Sequence, residues 1–302
     1  MWRNLPMNKS LFYRFIKEAE DKRVAIGHFN FSDVSAVKGI MGATADIARI
    51  FHFNIPICLG TSEGEAGYLG ARLASAVVNS YKSIGKQAFL NGDHIHSLEK
   101  LKEIIEAGYD SVSFDATHLP FEQNIELTRE AVLLSKSINP EFIIEGEINY
   151  ISGSSNLLDD ASADIALSTS ALTLPEDAKR FVDATGVDLI SPSIGNIHGI
   201  LKNSPNPRID IARIRAIKKI THAPIVLHGG SGLRDEDFIQ AIYAGVSIIH
   251  INTEIRIAWR RGIESSLAMN PNEVTPYKLL TTPEKAIQGV VFERLKLFNK
   301  LV

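Results

Sequence analysis

QAFLNGDH, residues 87–94, starts as an apolar strand and ends in an amide, a glycine, a carboxylate and an imidazole. A strand buried on both faces reads as a continuous apolar run, whereas a strand with one wet face alternates. The body of this run is therefore expected inside a parallel sheet, with a C-terminal end that faces polar chemistry. The same design repeats along the chain. VAIGHFNF (24–31) and IPICLGTS (55–62) precede it; SVSFDA (111–116), FIIEGEI (142–148), LISPSIG (189–195), PIVLHGG (224–230) and SIIHINT (247–253) follow.

The segments between these runs have a helical period. SLEKLKEIIEAG puts Leu98, Leu101, Ile104 and Ile105 on one face and stops at Gly108. LPEDAKRFVDATG opens on Pro175 with acids in its first turn and stops at Gly186; LRDEDFIQAIYAG repeats the plan and stops at Gly245. Eight strands alternating with helices predict an α/β fold, the (β/α)8 TIM barrel. With no linker or low-complexity segment, the expectation is one domain over 1–302, with a C-terminal helical extension from about residue 271 to 302. Residues 149–172 are polar and Ser-rich, the composition and length of a lid.

Composition narrows the function. Hydrophobic content of 45% and charged content of 22% suit a globular chain with a large core. A net charge of −3 gives no basic surface for nucleic acid or for an anionic membrane. No stretch approaches the ~20 apolar residues of a membrane span, and the N-terminus lacks a signal core, so the cytoplasm is the expected compartment. The single cysteine, Cys58, lies in an apolar run and reads as a buried, inert thiol.

Polar residues gather at the C-terminal ends of the expected strands: Asn30, Ser62 with Glu63, Asp93 with His94, Asp115, Glu147, Asn196 to His198, His228 to Ser231, and Asn252 with Thr253. In this barrel the loops after the strands meet at that face, so the clustering predicts an enzyme. His94, His198 and His228 fall at three strand ends. Each alone is more often a hydrogen-bonded loop residue; three at one mouth match the needs of a catalytic zinc with one open position, and Glu147 is an alternative ligand or base. His52 and His222 belong to the opposite face, while His28, His96 and His118 fall near the mouth without a ligand role. HGGSG (228–232) and NTE (252–254) close the seventh and eighth strands, where barrels bind phosphate through backbone amides.

These residues resemble the class II, metal-dependent ketose-bisphosphate aldolases, a family that includes fructose- and tagatose-bisphosphate aldolases. The likeness rests on DH (93–94), GYDSVSFDATHLPFEQNIELTREAV (108–132), EGE (145–147), TGVDLISPSIGNIHG (185–199) and PIVLHGGSG (224–232), all in family order. It implies a carbon–carbon lyase with Zn2+ held by His94, His198 and His228, Glu147 nearby, and Asp93 as the acid that protonates or polarises the aldehyde carbonyl. It implies phosphate binding by Gly199, Gly229, Gly230, Ser231 and Thr253, with a monovalent cation (Na+ or K+) close by and Ser62 holding the second phosphate. His250 and Asn252 fall in the same substrate region, and Lys278 falls where relatives offer a cation. A homodimer or homotetramer is also implied.

Three departures stand out. The family's H-x-D-H is NGDH here, with Asn91 and Gly92 in the first two places. The mobile loop reads EINYISGSSN, so Asn149 replaces a glycine and Ser155 stands where an acid is expected; Asp159 and Asp160 are the candidate substitutes. His250 replaces an asparagine that steadies the enediolate. The leading expectation is cleavage of fructose 1,6-bisphosphate to dihydroxyacetone phosphate and glyceraldehyde 3-phosphate. The alternatives are another phosphorylated ketose, or a metal- and phosphate-binding barrel without catalysis; the retained Asp93 weighs against the last.

Overall fold

The structure, a computed structural model, describes residues 10–159 and 172–301. Its strands in chain order are β1 (Ile26–Asn30), β2 (Ile57–Ser62), β3 (Ala88–Ile95), β4 (Ser111–Phe114), β5 (Ile143–Glu147), β6 (Gly153–Leu158), β7 (Leu189–Ser191), β8 (His198–Leu201), β9 (Ile225–Leu227) and β10 (Val246–Ile251). Eight of them close a parallel barrel in the order β1-β10-β9-β7-β5-β4-β3-β2, with β2 returning to β1. This is the TIM barrel expected from the continuous apolar runs. β7 and β9 are short because LISPSIG and PIVLHGG leave the sheet early to build the mouth.

Side chains alternate along a strand, so inward residues recur every second position and stack in layers. Ile26, Cys58, Phe89, Ile143, Leu189, Val226 and Ile248 form the lowest layer. The helix Leu11–Lys22 plugs the barrel beneath it with Phe12, Ile16 and Ala19, and Phe12 stacks on Phe89 at 4.4 Å between ring centres. The spacing of Phe12, Ile16 and Ala19 in LFYRFIKEAE puts them on one helix face and produces this plug, a role the sequence had not suggested.

The surrounding helices start and stop where their capping residues direct. Ser97 accepts from the Lys100 amide to open Leu98–Glu106, and Gly186, with φ of 73°, closes Pro175–Thr185. The C-terminal helix Thr281–Phe298 belongs to this outer layer. It buries Ile287, Val291, Leu295 and Phe298 against the core, and Phe298 O accepts from the Ala25 amide just before β1. Among the described residues no helix is long and apolar enough to cross a membrane.

A second, two-stranded parallel sheet was not expected. β6, from the Ser-rich loop, pairs with β8, with Gly153 opposite His198. A Cβ on Gly153 would stand 2.1 Å from the His198 carbonyl oxygen, and its φ is 98°, so only glycine permits this approach. The pairing lays Ser154, Ser155 and Asn156 along the mouth.

Candidate active site

β3 ends irregularly. Its pairing with β4 slips between Gly92 and Ile95, and His94 sits at φ 54°, in the left-handed region that a side chain seldom adopts. The kink turns the imidazole over the barrel mouth. There His94 Nδ1 is hydrogen-bonded to Asp115 Oδ2 at 3.2 Å, with Glu147 Oε1 2.8 Å from the same nitrogen. His228, immediately after β9, places Nε2 2.7 Å from Glu145 Oε1. Each ring thus turns its N–H to a buried carboxylate, which sets the tautomer and leaves the other nitrogen as a lone pair.

Those free nitrogens face each other. His228 Nδ1 lies 3.1 Å from His94 Nε2, and His198 Nε2 is buried with no hydrogen-bond partner. Ligand atoms of the three histidines all fall within 4.8 Å of one another. Opposed lone pairs repel unless a cation or proton stands between them, so this donor set fits a divalent zinc with an open position. Burial, and then the nearby His94 and His228, push His198 well below the ordinary histidine range and keep it neutral, as a ligand must be.

Beside this centre Asp93 is nearly fully buried. Its Oδ2 accepts from Asn30 Nδ2 at 2.9 Å, and its Oδ1 lies 3.2 Å from His250 Nδ1. That second approach is off the hydrogen-bond direction, so both atoms retain unused capacity. Burial pushes the Asp93 carboxyl up, but His94, His250 and His28 outweigh it and hold the group well below the usual carboxylate range. Asp93 is therefore held as a carboxylate at the cavity wall. The cavity above has a volume of about 250 Å³ and is lined by Asp93, His94, His198, His228, His250 and residues of the β6 segment.

The family description "Fructose-bisphosphate aldolase class-II" matches residues 12–301 of this sequence. The fructose-bisphosphate aldolase of Geobacillus stearothermophilus is 30% identical over 290 residues, covering 94% of both chains. That of Staphylococcus aureus (strain N315) is 29% identical over 287 residues, covering 93% of this chain and 94% of the relative. The chain belongs to the class-II fructose-bisphosphate aldolase family. Among solved structures, the YdjI aldolase from Escherichia coli K12 superimposes with a TM-score of 0.78 at 25% identity, over 95% of this chain and 96% of that one. The fructose-bisphosphate aldolase of Campylobacter jejuni has the same fold, with a TM-score of 0.76 at 18% identity over 95% and 94% of the two chains.

The aldolase mouth gathers most of the residues singled out in the sequence. Ser62, Gly199, Gly229, Ser231, Asn252 and Thr253 line the cavity with the three histidines. Ser62 is also the N-cap of the helix Glu63–Leu69, in a reciprocal capping box with Glu65. The helix Thr253–Met269 begins at the cavity wall, where its positive end favours an anion.

Other placements differ from expectation. The Gly230 amide does not face the cavity, because it donates to the His250 carbonyl at 3.1 Å and ties β9 to β10. Glu147, expected either as a ligand or as a nearby base, stands behind His94 and is grouped with Asp115 rather than with the three histidines. Lys278 is on the surface, paired with Glu273 at 2.8 Å. Asp159 is exposed and paired with Lys202 at 3.0 Å, and Asp160 lies outside the described residues. Asn149 accepts from Thr173 Oγ1 at 2.7 Å, which anchors the start of the β6 segment.

Three residues of the site had no role assigned from the sequence. Among the described residues Arg256 is the guanidinium lining the cavity, with Nη2 2.9 Å from Glu65 Oε1 and Nη1 donating to the Ser155 carbonyl at 3.1 Å. Its one sequence signal was its place one helical turn after Asn252, in INTEIR. Glu145 and His28 are fully buried inside the barrel. Both lie two residues before a mouth residue on their own strands, the spacing that points a side chain inward.

Proposed function

We propose that this protein is a zinc-dependent aldolase that reversibly cleaves a ketose bisphosphate. Its preferred substrate on this reading is fructose 1,6-bisphosphate, the sugar in its relatives' names, and its products are dihydroxyacetone phosphate and glyceraldehyde 3-phosphate. The observation that carries this reading is the convergence of three imidazole lone pairs beside a buried carboxylate. Bound at His94, His198 and His228, zinc would supply electrophilic stabilisation for the negative charge left when the carbon–carbon bond breaks.

This chain's own residues would do the rest. Asp93 takes the proton from the C4 hydroxyl as the C3–C4 bond breaks, and a proton from solvent adds to C3 to complete dihydroxyacetone phosphate. In condensation C3 loses that proton and Asp93 returns its own to the aldehyde oxygen. Asn30 holds that carboxylate in place. Gly199, Gly229, Ser231 and Thr253 anchor the phosphate of the ketone half, so the reacting carbons stay in register. A monovalent cation would sit beside that phosphate, and a homodimer or homotetramer acting in the cytoplasm is part of the same reading.

Arg256 favours a second reading. Its guanidinium is already paired with Glu65, so the far end of the cavity offers less positive charge than a second phosphate needs. A ketose carrying a single phosphate fits that balance. The test is single-turnover cleavage by zinc-loaded protein against a chelator-treated control, reading triose phosphate release. Metal-dependent release from fructose 1,6-bisphosphate is expected. Stoichiometric zinc with no release from that sugar, but release from a monophosphorylated ketose, would replace the first reading with the second.

A further inference from the structure

Below the three metal-facing nitrogens, the second inward layer of the barrel is polar and joined into a closed belt. The His228 and His250 rings stack at 4.0 Å and 26°, and His250 stacks on His28 at 3.5 Å and 3°. His28 Nε2 then meets Asn91 Oδ1 at 3.2 Å. The Ser113 hydroxyl lies between Asn91 Oδ1 (3.4 Å) and Glu145 Oε2 (3.0 Å), and Glu145 Oε1 returns to His228 Nε2 at 2.7 Å. All six residues are buried.

To reach β3 from β1, the His28 ring must cross β2. It does so over Gly60, where a Cβ would stand 2.2 Å from His28 Cε1. The glycine at this inward position of β2 is thus the bed on which His28 lies. His28, Asp93 and His250 also offer atoms within 4.8 Å of one another, the spacing of a cation site. Parallel rings 3.5 Å apart, however, direct their lone pairs along parallel lines rather than to a common point. The stack is therefore mechanical support, not a second metal centre.

We propose that His28 is a positioning residue for the aldolase reaction: seated on Gly60, its ring plane backs His250, which in turn braces Asp93 on its edge and His228 on its other face. This rests on the aldolase reading of the site above it. A displacement of the supported groups by about 1 Å can cost on the order of a hundredfold in rate. What matters on this account is the planar ring, not the imidazole nitrogens. A ring of the same shape serves, whereas an aliphatic chain of similar volume fills the space without fixing a plane.

The experiment compares His28→Phe with His28→Leu in the full chain, with circular dichroism to verify folding. Two readouts are taken: zinc affinity by competition with a chromophoric chelator, and kcat and KM on fructose 1,6-bisphosphate at saturating zinc. For His28→Leu, kcat is expected to fall by roughly 10–100-fold with KM within about threefold. Its zinc affinity should weaken by about tenfold, since His228 loses its support. His28→Phe is expected to restore both to within about threefold of the parent. Parental values in His28→Leu, or equal impairment in folded His28→Phe, would overturn the proposal. If the parent protein turns over no ketose phosphate, the aldolase reading fails, and the zinc affinities of the two variants still decide the positioning role.

Discussion

The two ends of the same barrel strands are built from opposite materials. At the N-terminal end the apolar side chains of Ile26, Cys58, Phe89, Ile143, Leu189, Val226 and Ile248 meet the plug helix. Two residues further along each strand stand His28, Gly60, Asn91, Glu145, His228 and His250. Among the described residues, buried polar atoms without a hydrogen-bond partner cluster in this polar half, including His28 Nδ1, Asp93 Oδ1 and His198 Nε2. Unpartnered buried polar atoms are costly. One end is thus optimised for stability, and the other keeps binding capacity at stability's expense.

Breaking each end separately tests that contrast. The largest effect is expected from His94→Ala. Turnover should fall at least about a thousandfold, the equivalent of ~4 kcal/mol in barrier, while the metal-free protein stays folded at the assay temperature, with a melting temperature lowered by the loss of the His94 contacts to Asp115 and Glu147. A loss of activity through unfolding alone would erase the contrast. Phe12→Ala in the plug should do the reverse. Removing a stacked, fully buried ring costs about 3–5 kcal/mol of stability, read by denaturant titration, with kcat at low temperature unchanged.

Finer probes stay at the mouth. Arg256→Ala removes the cation on the cavity wall, so KM should rise by roughly 10–100-fold, with a smaller change in kcat. A monophosphorylated substrate that lacks this contact should show no such rise. Zinc affinity should also fall as the pH drops. Burial opposes the charged form of His94, but Glu147, Asp93 and Asp115 overcome it and raise the group well above the ordinary histidine range. A proton therefore competes for the ligand nitrogen from a higher pH than at a free histidine. Below that point affinity should weaken by about tenfold per pH unit for each proton displaced, as measured with a competing chelator in a series of buffers.

The smallest effect is expected at the apolar end. Burial, reinforced by Asp110, Glu145 and Asp93, pushes the Cys58 thiol well above its usual range. The thiol is buried and held toward its protonated form, so iodoacetamide at pH 8 should leave the folded protein unlabelled and modify it only in denaturant. Labelling of the native protein would mean that the plugged end opens.

The fold was legible because its signals are local. A continuous apolar run bounded by a capped helix states its burial within about ten residues, and eight in succession leave few alternatives to a barrel. His94, His198 and His228 were legible for the same reason, since His94 and His228 end such runs and His198 follows one. β6 was not: GSSNLL has neither apolar alternation nor a continuous apolar run, and its partner β8 begins at His198, far along the chain.

The sequence by itself determined the barrel, the face that carries the chemistry and the identity of the three imidazoles. Only the tertiary structure decided which inward side chains meet: Asp115 and Glu147 behind His94, Glu145 behind His228, Arg256 against Glu65, and His28 laid over Gly60 to reach Asn91. The reason is that alternation along one strand fixes which residues point inward, a local property. Their height and their neighbours depend on the register between strands around the closed barrel, which no single segment contains.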